Sequence, residues 1–342
     1  MFNFACTGIS LSSADAKFVL GRTIEWCGSA LPSYYVVCPR GYEFKSMTPS
    51  GKHGLSYKSE YGWVGLAVVR NEFVAEGINE AGLSCGLFYF PGYGEYIRYD
   101  SSLDRISLSD MELVSWMLSS FKTIDEVKAR INEIRIICAI PEKGSSTLHW
   151  RLADATGKQV VIEIVNGGEI HFYENTVGVI TNAPGFPWHL TNLSNYVNLF
   201  PGNAPAIKLG DRIVAPIGSG SGMLGIPGDF TPPSRFIRIA FYRATAPEQK
   251  TGFDTVIQCF HLLNSFDIPI GTEHPQGEVA DIPSATHWTS VINISDRMIY
   301  YRTCYNSNIR CIDLNKIDFN QIEYHSSPLD KSLIQPVEYI SI

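Results

Sequence analysis

The sequence predicts an α+β protein in which helices lie outside stacked β-sheets. Three observations support this class. The predicted segments run in the order strands, paired helices, strands, paired helices, strands. Its 342 residues are 45% hydrophobic, enough for a sizeable core. No charge run, low-complexity tract, linker or internal repeat divides the chain, so we predict a single domain.

Strands dominate the first third of the chain. Short segments rich in Val, Tyr and Phe are bounded there by Gly, Pro, Asn or Ser, which is typical of strands. We predict strands at 17–26, 34–38, 63–70 and 83–90. Two helices follow, because Ser109 with Glu112 and Thr123 with Glu126 have capping-box spacing ahead of apolar runs.

The second half repeats this order. Four more strands are predicted, at 148–153, 159–164, 169–173 and 178–181. The segment 184–230 is rich in Gly, Pro and Asn and has little periodicity, which is typical of a functional loop or an oligomer contact. Helices are predicted at 232–245 and 254–265. The last predicted strands lie at 287–294, 298–303 and 310–314.

The charge balance narrows the choice of partners. The sequence has 27 Lys and Arg against 34 Asp and Glu, a formal net charge of −7. Nucleic acids and anionic membranes both favour clustered basic residues, so we expect neither as a partner. No apolar run approaches the ~18 residues that a membrane span needs. We expect a cytoplasmic protein, or a periplasmic one if an upstream export signal has been lost.

Most familiar catalytic and metal-binding patterns are missing. The sequence has no GxSxG, HExxH, P-loop or GxGxxG motif, its eight cysteines form no CxxC pair, and its eight histidines show no i,i+4 pairing. Each histidine is more typical of a surface or core position than of a catalytic one. We therefore expect no metal site.

The candidate site lies at the start of the chain. Cys6 enters a predicted strand, and Arg22 and Glu25 lie three residues apart on the next one, which returns alongside it in a hairpin. Cleavage before Cys6 would give this residue both a thiol and an α-amine. An α-amine has a pKa of about 7.7–8.0, so it can act as the base for its own thiol. A nearby Arg would favour the thiolate, and a carboxylate could hold the ammonium. An ordinary buried cysteine is the alternative.

At these residues the sequence resembles the choloylglycine hydrolases, the bile salt hydrolases and penicillin V acylases of the N-terminal-nucleophile (Ntn) hydrolase superfamily. The resemblance covers nearly the whole chain. Its blocks are Cys6-Thr7-Gly8, Gly21-Arg22-Thr23-Ile24-Glu25-Trp26, Pro39-Arg40-Gly41-Tyr42, Gly77-Ile78-Asn79-Glu80-Ala81-Gly82-Leu83, Thr181-Asn182-Ala183-Pro184, His189-Leu190-Thr191-Asn192-Leu193, Gly225-Ile226-Pro227-Gly228-Asp229-Phe230 and Pro233-Ser234-Arg235-Phe236. The resemblance implies a four-layer αββα sandwich and hydrolysis of a linear amide without a cofactor.

The resemblance also implies roles for individual residues. Cys6 matches the nucleophile, which attacks the amide carbonyl and forms a thioester that water hydrolyses. Arg22 and Arg235 match two arginines that tune the thiolate and support the charged intermediate. Asn182 matches the side-chain donor of the oxyanion hole, and the partner donor would be the backbone N–H of Tyr89.

Two features depart from the family pattern. The carboxylate three residues after the first arginine is usually Asp, whereas this chain has Glu25, and a shift of about 1 Å at a catalytic contact is costly. Cys6 also lies behind five residues, so removal of the initiator Met alone cannot expose it. We predict an autocatalytically removed leader of residues 1–5 and a mature domain of residues 6–342.

The resemblance implies a small-molecule N-acyl amide as the substrate. Tyr89 falls where bile salt hydrolases have Asn and penicillin V acylases have Tyr, and an aromatic side chain suits a flat acyl group such as phenoxyacetyl. The next residues, 90–93, continue as in bile salt hydrolases. Together these residues slightly favour a penicillin V acylase over a bile salt hydrolase. An N-acyl homoserine lactone acylase is a further alternative.

The long loop at 192–228 matches the loop through which family subunits assemble, so we predict a homotetramer. Two rival interpretations remain at this level. One is a catalytically silent relative that binds an amide or sterol-like ligand in the same cleft. The other is a papain-like hydrolase that uses a cysteine such as Cys27 or Cys85 with a histidine. Replacing single histidines separates the second rival, because an N-terminal nucleophile needs none of them.

Overall fold

Two antiparallel sheets form the centre of the protein in a computed structural model, which describes residues 4–26, 30–138, 140, 147–272 and 286–341. The first sheet has six strands in the order β14-β1-β2-β17-β18-β19. Their bounds are β1 Phe4–Ser12, β2 Phe18–Trp26, β14 Val179–Ile180, β17 Thr286–Asn293, β18 Met298–Thr303 and β19 Asn306–Asp313.

The second sheet has eight strands in the order β13-β12-β11-β8-β7-β6-β3-β20. Their bounds are β3 Ser33–Cys38, β6 Trp63–Val68, β7 Val74–Asn79, β8 Ser84–Tyr89, β11 Leu148–Ala153, β12 Gln159–Val165, β13 Glu169–Glu174 and β20 His325–Pro328. Strands β6, β7, β8 and β11 are buried along their whole length, and β8 meets β1 of the first sheet on one side and α1 on the other.

Helices cover the outer face of each sheet. The described α-helices are α1 Leu113–Ser120, α2 Ile124–Arg130, α3 Phe186–Asn192, α4 Pro232–Thr245 and α5 Gly252–Leu263. Helices α4 and α5 pack on β1, β2, β14 and β17, whereas α1 packs on β7 and β8. Strands β1 and β8 face each other between the sheets. These contacts produce the predicted four-layer αββα sandwich.

Smaller elements surround this frame. Three two-stranded pairs are described: β4 Glu43–Met47 with β5 His53–Lys58, β9 Ser107–Ser109 with β10 Arg135–Ile137, and β15 Ile207–Leu209 with β16 Arg212–Val214. Short 3₁₀ helices lie at Ser101–Ile106, Asp110–Glu112, Ile131–Glu133, Leu193–Tyr196, Ser221–Met223, Asn264–Phe266 and Leu314–Lys316.

The predicted capping residues and helices are present, and some helix ends differ from the prediction by a few residues. The Thr123 hydroxyl accepts the backbone N–H of Glu126 and caps α2. Ser109 caps the 3₁₀ turn that leads into α1. Helix α4 has the predicted bounds, with Pro232 and Pro233 in its first turn.

Some elements were not predicted. Strands β4 and β5 contain the charged residues Glu43, Lys45 and Lys58 and no Val or Ile, unlike most of the other strands. The segment 184–230 was predicted as a loop, yet it contains α3, β15 and β16. Each of these has at most seven residues, too few for a clear periodicity.

The two sheets approach each other closely beside Cys6. A Cβ atom placed on Gly8 would lie 2.7 Å from Ile180 Cγ2 and 2.9 Å from Phe88 Cζ. Glycine at this position therefore allows β1 to pack directly over β8. Since β8 carries Tyr89 at its end, this close packing brings two candidate site residues from different sheets together.

Candidate active site

The hairpin of β1 and β2 places the first three candidate residues. Cys6 pairs with Ile24 and Gly8 pairs with Arg22, so the side chains of Cys6 and Arg22 share one face of the sheet as diagonal neighbours. Glu25 pairs with Ala5, on the opposite face. The hairpin predicted from the spacing is therefore present, with Arg22 beside the thiol.

Arg22 contacts the thiol directly. Its Nη2 donates to Cys6 Sγ at 2.8 Å, and both side chains are buried. Burial is the main cause that raises the pKa of the Cys6 thiol above its ordinary value. The charges of Arg22 and Arg235 and a hydrogen bond from the Tyr89 backbone act against this rise, whereas the Glu25 charge adds to it.

A buried network holds Arg22 in place. Its Nη1 donates to the carbonyl oxygens of Ala75 at 2.8 Å and Leu87 at 2.7 Å, and lies 3.7 Å from Glu76 Oε2. The other Glu76 oxygen pairs with Arg151 Nη2 at 2.9 Å. The Arg22 guanidinium also lies 4.3 Å from the centre of the Phe88 ring. Because these contacts come from the second sheet, they tie the Arg22 side chain to both sheets.

Asn182 contacts the backbone of Cys6. Its Oδ1 accepts the Cys6 N–H at 3.0 Å and Arg235 Nη2 at 2.7 Å, and its Nδ2 donates to the Tyr89 carbonyl at 2.8 Å. Arg is always a donor, so these partners fix which amide atom is oxygen and which is nitrogen. The amide nitrogen has two hydrogens, and the Tyr89 carbonyl uses one of them.

Arg235 enters from the first turns of α4. Its Nη1 donates to the Cys6 carbonyl and to Thr7 Oγ1, the latter at 2.8 Å, and its Nε donates to the Phe230 carbonyl at 2.8 Å. The charge is completely buried. A buried arginine needs hydrogen bonds such as these, and they connect α4 to β1 and to Asn182.

Glu25 is also fully buried and lies near enough to influence the thiol. Its Oε1 lies 3.5 Å from the hydroxyl of Thr286, which in turn accepts the N–H of Ile268 at 2.9 Å. The structure thus brings the other five residues predicted from the sequence around Cys6, namely Arg22, Glu25, Tyr89, Asn182 and Arg235. The site includes the longer carboxylate that departs from the family pattern.

A cavity of about 310 Å³ opens beside the thiol. Its walls are mainly apolar, and they include Cys6, Trp26, Phe73, Leu87, Tyr89 and Met111. A pocket of this size and polarity suits a hydrophobic acyl group whose carbonyl carbon lies at the sulfur.

Sequence reasoning missed two histidines and one carboxylate. His149 and His189 hydrogen bond to the backbone at Thr181 and Asn182, and Glu76 lies beside Arg22. For His189 one signal was available, because it opens the block 189–193 that resembles the family. His149 lies alone on a strand, and no pattern distinguished it.

The structure of the described residues disfavours a papain-like hydrolase that uses Cys85. Cys85 is fully buried, and burial raises the pKa of its thiol well above the ordinary value, with Glu76 adding to the rise. A protonated, inaccessible thiol is a poor nucleophile. Cys27, the other cysteine considered, lies outside the described residues.

The described residues contain neither a metal-binding cluster nor a membrane-spanning helix. No group of three or more His, Cys, Asp or Glu side chains there could hold a metal ion. No helix in the described part of the chain is long and apolar enough to cross a membrane.

The fold and site together define an Ntn-hydrolase-type protein with a buried Cys–Arg pair in the hairpin of its first two strands. The family model for linear amide C–N hydrolases, choloylglycine hydrolase family, matches residues 6–327. The chain therefore belongs to the choloylglycine hydrolase family, as the sequence resemblance predicted, and it is a hydrolase of linear amides.

Individual relatives agree with this assignment. The bile salt hydrolase/transferase of Clostridium perfringens is 35% identical over 328 residues, which cover 93% of this chain and 95% of the relative. A crystal structure of a variant conjugated bile acid hydrolase from the same species has a TM-score of 0.84 at 29% identity, and the match covers 98% and 100% of the two chains. A penicillin V acylase from Agrobacterium tumefaciens has a TM-score of 0.74 at 23% identity, covering 95% and 91%, and shows the fold alone.

Proposed function

We propose that Cys6 is an N-terminal nucleophile that hydrolyses N-acyl amides through a thioester. One observation carries this proposal: the thiol and the backbone nitrogen of the same residue are both held in the buried site. Arg22 contacts the sulfur at 2.8 Å, and Asn182 contacts the nitrogen at 3.0 Å. A free amine at that nitrogen would lie where it can exchange a proton with its own thiol.

Maturation requires cleavage between Ala5 and Cys6. The leader of residues 1–5 lies partly outside the described residues, but β1 continues through Phe4 and Ala5, which pair with Trp26 and Glu25. In the proposed cleavage, Cys6 Sγ adds to the Ala5 carbonyl carbon and the C–N bond breaks, which leaves a thioester and the free α-amine. Water then hydrolyses the thioester and releases the leader.

The mature enzyme would repeat this chemistry on its substrate. The α-amine takes the thiol proton, and the thiolate adds to the substrate carbonyl carbon. The α-ammonium returns the proton to the leaving nitrogen as the C–N bond breaks. Water then attacks the acyl thioester with the α-amine as base, releasing the carboxylic acid and restoring the thiol.

Charged and polar neighbours support each stage of the proposed reaction. Arg22 favours the thiolate, and Glu25 holds the ammonium form of the amine. The backbone N–H of Tyr89 and the second hydrogen of Asn182 Nδ2 would stabilise the oxyanion of the tetrahedral intermediate. Arg235 keeps Asn182 in the orientation that this role requires. A preorganised donor of this kind contributes about 3–4 kcal/mol to catalysis.

Conjugated bile salts are the substrates that similarity favours. Two relatives named bile salt hydrolase/transferase reach 35% and 33% identity over more than nine-tenths of this chain. The apolar cavity beside Cys6 supports an acyl group with a large hydrophobic surface. A relative named penicillin V acylase is only 23% identical.

Tyr89 favours a second candidate, a phenoxyacetyl or similar aryl amide. Tyr89 lines the cavity together with Trp26 and Phe73. Aromatic walls of this kind stack on a flat acyl group with about 0.5–1.5 kcal/mol beyond simple burial. The proposed catalytic steps are the same for both classes of acyl group.

The test is intact mass spectrometry of the purified protein, followed by activity assays. We expect the wild type to lack residues 1–5 and Cys6→Ala to retain them. Cys311→Ala, at an exposed thiol, is the matched control and should mature normally. The assay panel is glycine- and taurine-conjugated bile salts, penicillin V and N-acyl homoserine lactones.

Each outcome of this test has a defined meaning. A full-length protein that hydrolyses these amides would contradict the α-amine as base. A full-length, inactive protein would favour the silent ligand-binding relative. Activity confined to homoserine lactones would move the substrate to that alternative.

A homotetramer built through the 192–228 loop is part of the proposal. Among the described residues, this loop exposes several large apolar side chains that water disfavours, namely Val197, Phe200, Ile207, Leu209, Ile213, Ile217 and Leu224. Light scattering after size-exclusion chromatography should give four copies for the wild type. Ile213→Asp should reduce the assembly, and an unchanged tetramer would contradict the role of this loop.

A further inference from the structure

Two buried histidines flank Asn182 along the backbone. His149 Nε2 lies 3.0 Å from the carbonyl oxygen of Thr181, and His189 Nε2 lies 3.0 Å from the carbonyl oxygen of Asn182 itself. Both side chains are at most 2% exposed. Two consecutive carbonyls in the segment that carries the proposed oxyanion donor are therefore each held by an imidazole.

Each imidazole also stacks on an aromatic ring from another part of the site. His149 lies on Phe90, with ring centres 4.4 Å apart and planes 8° apart, and Phe90 directly follows Tyr89. His189 lies on Phe236 at 4.5 Å and 11°, and Phe236 directly follows Arg235. The two histidines thus connect the backbone at Asn182 to the segments that carry the other oxyanion donor and the second arginine.

Glu163 joins the two halves of this arrangement. Its Oε1 lies 3.4 Å from His149 Nδ1 and accepts the N–H of Phe186 at 2.7 Å. Phe186 opens α3, the helix that carries His189. The three side chains therefore hold the chain on both sides of Asn182, from β14 to the start of α3.

The hydrogen-bond chemistry places a hydrogen on Nε2 of both rings. A backbone carbonyl can only accept, so Nε2 of each histidine must carry a hydrogen. Burial lowers the pKa of His189 to about 4, so this ring is neutral at ordinary assay pH. Its Nδ1 has no hydrogen-bond partner among the described residues, which agrees with an unprotonated nitrogen. His189 is therefore a fixed donor and not a proton carrier.

We propose that His149 and His189 are positioning residues that hold the carbonyls of Thr181 and Asn182 and thereby direct the Asn182 side-chain amide at the reacting carbonyl. This inference rests on the proposed function, since it requires Asn182 to be an oxyanion donor. Neither histidine is among the residues that line the substrate cavity. They act on the reaction through Asn182 and not on substrate binding.

The expected size of the effect follows from geometry. A displacement of about 1 Å at a catalytic group costs about a hundredfold in rate. Losing one imidazole N–H leaves a buried carbonyl without its donor and lets the segment relax. We expect kcat to fall tenfold to a hundredfold for either histidine, less than for loss of Asn182, with KM changed by less than about threefold.

Matched variants of each histidine distinguish the contribution of its N–H donor from that of its stacked ring. Gln places an N–H near the position of Nε2, whereas Phe keeps the flat ring and its stacking but has no donor. We expect His189→Gln and His149→Gln to retain most of the wild-type kcat and His189→Phe and His149→Phe to lose it. His261→Phe, at an exposed position on α5, is the control and should leave kcat unchanged. Equal kcat for the Gln and Phe variants would overturn the proposal.

A double-mutant cycle tests whether the effect passes through Asn182. If His189 acts only by positioning Asn182, His189→Phe should lower kcat very little when Asn182 is already replaced by Ala. Equal losses in both backgrounds would overturn the proposal. If Asn182→Ala alone keeps wild-type kcat, the oxyanion role in the proposed function fails, which is a different outcome. The mature mass of every variant is checked first, so that failed cleavage is not counted as lost positioning.

The pH profile distinguishes positioning from acid–base catalysis. The limbs of kcat against pH should stay within about 0.3 units of the wild type in the Phe variants, since neither histidine exchanges a proton in the reaction. Loss of a limb would overturn the assignment in favour of a catalytic histidine. If a Phe variant does not fold, the Met variant, which also lacks an N–H, replaces it in the same comparison.

Discussion

Exchanging Asn182 for Asp changes one atom group at the centre of the site. The Oδ1 position can keep its contacts with the Cys6 N–H and Arg235, at 3.0 and 2.7 Å in the wild type. The Nδ2 position becomes an oxygen that faces the Tyr89 carbonyl oxygen, where the wild type has a hydrogen bond of 2.8 Å. Asn182→Ala, in contrast, removes all three contacts without adding charge.

The two variants should rank in opposite order for activity and for stability. Loss of an oxyanion donor costs about 3–4 kcal/mol, or 10²–10³ in kcat, so we expect that loss for Ala. Asp loses the same donor and adds negative charge where the oxyanion forms, so we expect about 10³ or more. For stability, Ala loses three hydrogen bonds of about 1 kcal/mol each, whereas Asp keeps the charge-assisted contact with Arg235.

The assay is kcat at saturating substrate together with the free energy of unfolding in urea, after confirmation of the mature mass. Asn132→Asp, at an exposed position outside the 192–228 loop, serves as the control for an added charge. An Asn182→Asp enzyme within tenfold of wild-type kcat would refute the donor role. A variant series in which Asp is more active than Ala would refute the argument from charge at the oxyanion.

Three further predictions follow from the same contacts. Glu25→Gln should lower kcat more than tenfold because the ammonium loses its charged partner, and Glu25→Asp should lose less than Gln because it keeps the charge; similar losses in both would contradict that role. Tyr89→Asn should lower kcat/KM for penicillin V about 2–10-fold and spare bile salts, because it removes a stacking wall but keeps the backbone donor; parallel losses on both would contradict it. The unfolding free energy should fall as pH drops from about 6.5 to 4, since the pKa of His189 is about 4 when folded and 6.5 when unfolded, so the unfolded state takes up the proton first. The loss from this residue is about 3 kcal/mol. His189→Gln should flatten this slope, and an unchanged slope by chemical denaturation would exclude this cause.

The part of the site that the sequence alone predicted is local. Cys6 and Arg22 are sixteen residues apart in one hairpin, and the hydrophobic pattern sets its register, so their contact follows from spacing. Asn182 and Arg235 are 176 and 229 residues from Cys6. Their place in the site came from the resemblance, because no local pattern encodes a contact across that distance.

The residues that the sequence did not reveal share a physical property. His149, His189 and Glu76 act on backbone groups or on other charged side chains, and each does so from a buried position. A single buried polar residue in an apolar strand has the same local pattern whether it supports a site or only satisfies the core. Their function depends on which long-range partners they meet, and only the assembled sheets provide those partners.

The position of Glu25 also bears on how the thiol is controlled before and after cleavage. While Cys6 is joined to Ala5, burial raises the pKa of its thiol, and the Glu25 charge raises it further. A buried, protonated thiol is a weak nucleophile, so the uncleaved chain should react slowly with a thiol reagent. Cleavage adds an α-ammonium on the Cys6 nitrogen, where its positive charge can offset that of Glu25 and favour the thiolate. The same bond cleavage would then supply the base and activate the nucleophile, and the uncleaved leader would keep the site inactive.

The rate at which iodoacetamide alkylates Cys6 tests this argument. Mass spectrometry of a sample that contains both the cleaved and the uncleaved chain gives the rate for each. Equal alkylation rates for the cleaved and uncleaved chains would show that the ammonium does not set the reactivity of the thiol.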